Sequence, residues 1–268
     1  MSLRLADRFW RVVATGFSFT AFGLGALLLS VTVFPLLALV SRDADRRRAR
    51  VQGVLHYGCR WFAWLLRVLG LITCEVHGVE RLMPRGRMIV ANHPSLIDVV
   101  FLLAWLPQAD CIMKQALTAN PFLRWTVAWA GYIGNASPAG LIDDCAATLR
   151  AGRTLIVFPE GTRTVPGRPP QFKRGAARIA LLAGAELVPV QIRCEPTTLT
   201  KHAPWWQVPE RPSHFTYVVG EPFSATRIIR PDDTPAQAAR RLTAHLQKLL
   251  VPTSPAASAT AELSISRF

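Results

Sequence analysis

Lysine and acidic residues are both scarce in this 268-residue chain. Of its 31 basic residues only four are lysine, and 17 acids oppose them, for a net charge of +14. A soluble nucleic-acid binder gathers such charge in lysine-rich segments of low hydrophobicity, whereas half of these residues are hydrophobic and the mean hydropathy is +0.24. Nucleic acid is therefore set aside as a partner. The balance points instead to an anionic membrane surface or an anionic lipid. With charged residues at only 18%, disorder of the whole chain is excluded as well. The length suits one sizeable domain with an appendage.

Paired cysteine patterns are also missing. Cys59, Cys74, Cys111, Cys145 and Cys194 are odd in number and form no C-x-x-C. That argues against a disulfide framework or a zinc site, and for small buried thiols in a reducing compartment. No metal site is expected. Three catalytic signatures are absent: the G-x-S-x-G elbow, the P-loop and H-E-x-x-H. Ser137, in G-N-A-S-P-A-G, is one residue out of register for such an elbow.

Charge itself is missing from Val12 to Ser41. This apolar run exceeds the ~20 residues that cross a bilayer as a helix. It is also longer than the ~7–15 apolar residues of a signal peptide and is followed by no clear small-x-small cleavage site. The run therefore predicts a membrane-attached helical segment, either spanning or broken into a re-entrant hairpin at Pro35 or Gly23/Gly25. Arg4, Arg8 and Arg11 precede it, and Arg42, Arg46, Arg47, Arg48 and Arg50 follow. By the positive-inside tendency the domain behind that second cluster faces the cytoplasm, at an inner or plasma membrane, and the cluster suits anionic headgroups. Residues 54–73 form a second apolar segment carrying Arg60, Trp61, Trp64 and Arg67. They fit a helix lying in the interface, or one packed on the following domain.

Beyond residue 74 short β-type runs alternate with helical ones. Segments 88–91, 110–113, 154–158, 187–192 and 214–220 read as strands, and 96–106, 121–130, 138–151, 174–184 and 234–250 as helices. The fold class is α/β, a mixed sheet flanked by helices behind an N-terminal membrane-attached segment. Three parts are expected: 1–73 as anchoring and interfacial helices, 74–251 as the α/β domain, and 252–268 as a disordered tail.

Two loops after strands carry chemistry. The first is Asn92-His93-Pro94-Ser95-Leu96-Ile97-Asp98. In a continuous helix, positions five apart point about 140° away from each other. His93 and Asp98 therefore meet only if His93 lies in the turn before a helix and Asp98 in its first turns. A carboxylate on one imidazole nitrogen leaves the other free to accept a proton, so the pair can activate an external hydroxyl. The second loop is Phe158-Pro159-Glu160-Gly161-Thr162-Arg163, followed by Phe172-Lys173-Arg174-Gly175. Its cations suit a phosphate, and it reaches the same edge as His93 if the two strands are parallel.

Together N-H-P-S-L-I-D and F-P-E-G-T-R, with F-K-R-G and the apolar Val188-Pro189-Val190, resemble the glycerolipid acyltransferase family, the lysophosphatidate acyltransferases and their relatives. The resemblance covers residues 75–220. It implies an O-acyltransferase of phospholipid biosynthesis, moving an acyl group from acyl-CoA or acyl-carrier protein to a 1-acylglycerol-3-phosphate-like hydroxyl without a further cofactor. Under it His93 is the general base and Asp98 its orienting partner. Glu160, Gly161, Thr162, Arg163 and Lys173 shape the acceptor site, with Arg163 on the phosphate. The family's second motif is only half present. Met113-Lys114-Gln115-Ala116-Leu117 and Asn120-Pro121-Phe122-Leu123 fit its approach, but Gly131-Tyr132-Ile133-Gly134-Asn135-Ala136-Ser137 lacks the expected arginine. Its absence removes a charge-assisted contact worth roughly 1.5–3 kcal/mol. A lysophospholipid with a headgroup, an ornithine-type lipid or a specialised lipid thus becomes a competitive acceptor; the alternative from another class is a lipid-binding protein of the same fold without catalysis, against which the intact dyad argues.

Overall fold

The computed structural model describes residues 2–113, 120–134, 138–251 and 265–266. Nine strands among these form one sheet in the order β4-β3-β5-β2-β6-β7-β1-β9, with β8 beside β6. They are β1 (Ile72–His77), β2 (Met88–Ala91), β3 (Asp110–Met113), β4 (Ile133–Gly134), β5 (Leu155–Val157), β6 (Glu186–Glu195), β7 (Ser213–Val219), β8 (Phe223–Ser224) and β9 (Ile265–Ser266). Strand β2 runs parallel to both β5 and β6, and β3 runs parallel to β5. The sheet becomes mixed at β7, antiparallel to β6, before β1 pairs parallel to β7.

Helices cover both faces. Helices α3 (Ala44–Val68) and α4 (Asp98–Trp105) lie on one side, and α6 (Pro138–Arg150), α7 (Gly175–Ala183) and α8 (Pro235–Leu250) on the other. Strand β2 shows why the middle of the sheet is apolar throughout: Ile89 and Ala91 enter the core under α4, while Met88 and Val90 enter the core under α7 and α8. Continuing that alternation two residues places His93 on the α4 side.

The N-terminal third is built into this architecture. Helix α1 (Ser2–Val31) continues into α2 (Val33–Val40) after a break at Thr32. The break lies one turn ahead of Pro35, whose ring clashes with the carbonyl four residues back and which has no N–H to offer it. The chain reverses at Ser41–Asp43, beyond Pro35 and both glycines considered as hairpin points. There the Asp43 side chain caps α3 by accepting from the Arg46 N–H at 2.7 Å. Helix α3 then returns along α1: Phe34 packs beside Val51, Phe19 and Phe22 against Phe62, and the Trp10 indole donates to Leu69 O.

The inward face of α1 is small and polar (Ala14, Thr15, Ser18, Ala26, Ser30), and its outward face carries Leu5, Phe9, Val13, Phe17, Leu24, Leu28 and Val31. Small residues let helices approach closely, and the reversed polarity suits an apolar solvent. Tyr57, Trp61, Trp64 and Val68 of α3 are exposed too, while Phe62, Ala63 and Leu66 join the main core. The segment α1–α2 is long and apolar enough to cross a membrane.

The boundary expected between residues 73 and 74 falls inside β1, whose mixed ITCEVH pattern gives little strand signal. Of the C-terminal segment expected to be disordered, Ile265–Ser266 pairs with Val76 and His77, and the remainder lies outside the described residues. All five cysteines are free; Cys74 is half-buried and the others buried, as their number and spacing imply.

One buried acid has a consequence for stability. Asp110, at the amino end of β3, accepts from Gln52 Nε2 at 3.2 Å, and Arg153 Nε stands 3.5 Å away. Burial pushes its carboxyl up to about 6, against the opposing pull of Arg48 and Gln52. The folded chain thus keeps a proton that the unfolded chain releases near pH 4, so this residue's contribution falls as pH rises from about 4 to 6 and stays unfavourable above. Asp110→Asn keeps the acceptor for Gln52 and removes the buried charge. Its expected effect is a gain of about 1–2 kcal/mol at pH 7.5 that vanishes near pH 4, measured by urea unfolding in detergent at both values.

Candidate active site

Because β2 and β5 are parallel neighbours, the loops after them leave the sheet side by side. The sequence N-H-P-S-L-I-D turns between β2 and α4, and Asp98 opens that helix. Its Oδ2 stands 2.9 Å from His93 Nδ1 and also accepts the Ser95 N–H at 2.7 Å. This is the arrangement that the spacing required, with the histidine before the helix and the acid in its first turn. A carboxylate only accepts, so Nδ1 carries the proton and Nε2 keeps its lone pair. Asp98 is fully buried, whereas the His93 side chain is 16% exposed. Burial pushes the Asp98 carboxyl above its ordinary value; the bonds from His93 and Ser95 and the charge of Arg163 pull it back.

The second loop supports the first. Glu160 is 5% exposed, and its Oε1 accepts the His93 backbone N–H at 2.8 Å. Thr164 closes the connection from the other side: its N–H donates to His93 O at 2.7 Å and its hydroxyl to the Glu160 carboxylate. Phe158 stacks on the imidazole, ring centroids 4.1 Å apart. Asn92 acts one strand away, where its side-chain amide exchanges two hydrogen bonds with the Ile192 backbone and extends the β2–β6 ladder past the strand end. Burial raises the Glu160 carboxyl too, opposed by its bonds to His93 and Thr164.

The cations expected to converge are divided between two tasks. Lys173 lies over Gly161: a Cβ there would stand 3.1 Å from Nζ, and φ of 64° at Gly161 already favours glycine. Arg163 turns toward the segment after β6, where Nη1 donates to Leu199 O at 2.7 Å and Thr200 O at 3.0 Å. Its guanidinium is held below its ordinary value by burial, an effect that Asp98 offsets. Thr162 is half-buried in the turn, and Arg174 is exposed at the start of α7.

Residues 73–193 match the family model described as Acyltransferase. The matched stretch holds both loops of the site. Three curated proteins similar to it are each named 1-acyl-sn-glycerol-3-phosphate acyltransferase. The protein from Pseudomonas aeruginosa is 30% identical over 152 residues, covering 53% of this chain and 58% of that one. A chloroplastic protein of Arabidopsis thaliana is 27% identical over 199 residues, 72% of this chain and 52% of that one. An alpha form from Ovis aries is 28% identical over 235 residues, 80% of this chain and 72% of that one. The chain thus spans 58% and 52% of the first two. Its fold is similar to the crystal structure of the 1-acyl-sn-glycerophosphate acyltransferase of Thermotoga maritima, with a TM-score of 0.68 at 21% identity, over 94% of this chain and 99% of that one.

Within this site, sequence reasoning found the dyad and the Glu160 loop and missed the parts that clamp them. Thr164 sits just past the motif with no distinguishing pattern, and the Leu199 and Thr200 carbonyls are backbone atoms that side-chain identity does not mark. Residues 114–119 and 135–137, which hold Lys114 and much of the incomplete second motif, lie outside the described residues.

The Glu160 contacts make a graded expectation. Glu160→Ala leaves the His93 N–H without its acceptor and is expected to destabilise by about 1–3 kcal/mol, with a fall in activity as His93 loses its anchor. Glu160→Gln retains an acceptor oxygen and is expected to cost less than half as much. Thermal unfolding of the two purified variants, with initial rates measured in parallel, checks this order.

Proposed function

We propose that this chain is an O-acyltransferase that moves an acyl group from a thioester donor, acyl-CoA or acyl-carrier protein, to the hydroxyl of a lysolipid in phospholipid synthesis. One observation carries the reading: a histidine whose Nδ1 is held by a buried carboxylate 2.9 Å away while its ring remains partly open. His93 Nε2 takes the proton of the acceptor hydroxyl as its oxygen attacks the thioester carbonyl. The tetrahedral adduct collapses with loss of thiolate, to which the imidazolium returns the proton. Asp98 holds the neutral ring in the tautomer with its lone pair on Nε2 and stabilises the imidazolium that forms. Direct transfer is favoured over an acyl-enzyme because Ser95, two residues from His93, has a fully buried side chain that donates nothing to the imidazole.

The acceptor we favour is 1-acylglycerol-3-phosphate-like. Lys173 over Gly161 and the remaining N–H groups of Arg163 supply cations for its phosphate. Two features support a membrane location. The outward face of α1 is apolar, and α1 and α2 are bound to the rest of the chain from Trp10 of α1 to Phe34 of α2, a geometry for a segment lying in one interface rather than leaving the domain to span. Of the arginines at 42–50, the exposed Arg42, Arg46 and Arg50 suit anionic headgroups, with the domain on the cytoplasmic side, whereas Arg48 turns inward against Gly131.

The test is transfer by the purified protein from radiolabelled acyl-CoA and, separately, acyl-carrier protein to lysophosphatidate, neutral-headgroup lysophospholipids and lyso-ornithine lipid, with products identified by mass. Thiol release matched by a diacyl product supports the function and names donor and acceptor. Thioester stability in the presence of every acceptor would sink it.

A further inference from the structure

Between β6 and β7 the chain makes a long excursion, 196–212, that begins at the sheet edge holding His93. Three hydrogen bonds hold its first turn. Arg163 Nη1 bonds Leu199 O and Thr200 O, and the Leu96 N–H, from the loop between His93 and Asp98, bonds Leu199 O at 3.2 Å. Leu199 and His202 adopt left-handed backbone angles, φ of 51° and 70°, so the chain is bent sharply on both sides of this anchor. From there it runs to α1. A narrow slot between the two is lined by Arg11, Thr15 and Phe19 on the helix and by Thr198, Leu199 and Val208 on the excursion.

At the far end stand Trp205 and Trp206, perpendicular to each other with ring centroids 5.7 Å apart, and 46% and 57% exposed. Trp205 lies against Gly16, where a Cβ would meet two of its ring atoms at 3.2 Å. The neighbours of Gly16 on the outward stripe of α1 are Val13 and Phe17, both exposed. The two indoles therefore extend the apolar face of α1 toward the catalytic edge. Indoles combine a broad apolar ring with an N–H that seeks water or a headgroup, and they concentrate where hydrocarbon meets headgroup. Lys201 and Arg211, near the two ends of the excursion, add positive charge toward anionic lipid.

We propose that segment 196–212 is a second membrane-contacting element, in which Trp205 and Trp206 enter the lipid interface and Arg163 ties that contact to the catalytic histidine's edge. The bilayer surface is thereby brought to the mouth of the site, so a lipid acceptor is taken up from the membrane plane. This rests on the membrane-located acyltransferase reading above.

The experiment compares the full chain with Trp206→Ser and with the double variant Trp205→Ser, Trp206→Ser, using two acceptors. One is a long-chain lysophosphatidate presented in phosphatidylglycerol vesicles, and the other a hexanoyl lysophosphatidate kept monomeric in detergent-free buffer. The expected result is an apparent KM for the vesicle-borne acceptor raised at least fivefold, with kcat for the monomeric acceptor within twofold of the parent. Trp206→Phe is expected to restore most of the vesicle KM. An unchanged vesicle KM overturns the proposal, as does an equal loss on both acceptors, which would mark the segment as support for the fold. If the parent protein transfers to neither acceptor, the enzymatic reading fails, and quenching of tryptophan fluorescence by brominated phosphatidylcholine vesicles decides the lipid contact alone. Less quenching in Trp205→Phe, Trp206→Phe than in the parent supports the contact, and equal quenching overturns it.

Discussion

His93→Ala is expected to lower acyl transfer by at least about 10³-fold, near the upper range of what a positioned general base contributes. No neighbour can take over. Asp98 is fully buried behind the imidazole, and Glu160 is occupied by the His93 N–H and Thr164. The same substitution removes the hydrogen-bond donor to the buried Asp98 carboxylate and the stacking contact with Phe158. A drop in stability therefore accompanies it, and His93→Gln separates the two effects. Glutamine offers Asp98 a donor and has no basic nitrogen, so it is expected to be as inactive as alanine and closer to the parent in thermal unfolding. Initial rates with a thioester donor, beside unfolding curves for both variants, provide the check. Parent-like activity in either variant would remove His93 from the mechanism.

Asp98 carries the second large effect, and its geometry makes the expected result graded. Both hydrogen bonds, from His93 Nδ1 and from the Ser95 N–H, fall on Oδ2, while Oδ1 is buried with no hydrogen-bond partner among the described residues. In Asp98→Asn the amide oxygen can occupy the Oδ2 position and keep both bonds. Two costs remain: the amide NH2 is buried without an acceptor, and the imidazolium formed during transfer loses its counter-charge. A fall in kcat of about 10²-fold is expected for Asn, and about 10³-fold for Asp98→Ala, where the tautomer is no longer held. Equal losses in the two variants would show that charge, and not orientation, is what Asp98 supplies.

Much of this site is legible without coordinates, because its central constraint is local. A histidine and an acid five residues apart, with Pro94 and Ser95 between them, can meet only across a helix start, and Asp98 is where α4 begins. The strands MIVA and LIV announce themselves by uninterrupted apolar residues because both of their faces are covered. Strand β1 gives no such signal: it lies near the edge of the sheet, exposes Thr73, and follows directly on an apolar helix that blurs its start. The reversed polarity of α1 is likewise only half readable. Composition shows an uncharged run, but its small polar residues could face lipid or protein equally well until α3 and α5 (Arg124–Ala130) are seen packed against them; the Ser30 hydroxyl stands 2.8 Å from that of Thr126 on α5.

The sequence by itself determined the α/β class, the dyad, the Glu160 loop and the presence of an apolar N-terminal segment, since each follows from residue types within a few positions of one another. Tertiary structure decided how these parts support one another. It set Glu160 under the His93 N–H, turned Arg163 onto the carbonyls of 199–200, reversed the chain at Ser41–Asp43, and placed Trp205 on Gly16. The physical reason is that these are contacts between backbone groups and side chains far apart in the chain. A carbonyl looks the same at every position, and which one an arginine reaches is settled only when the sheet brings the two loops together.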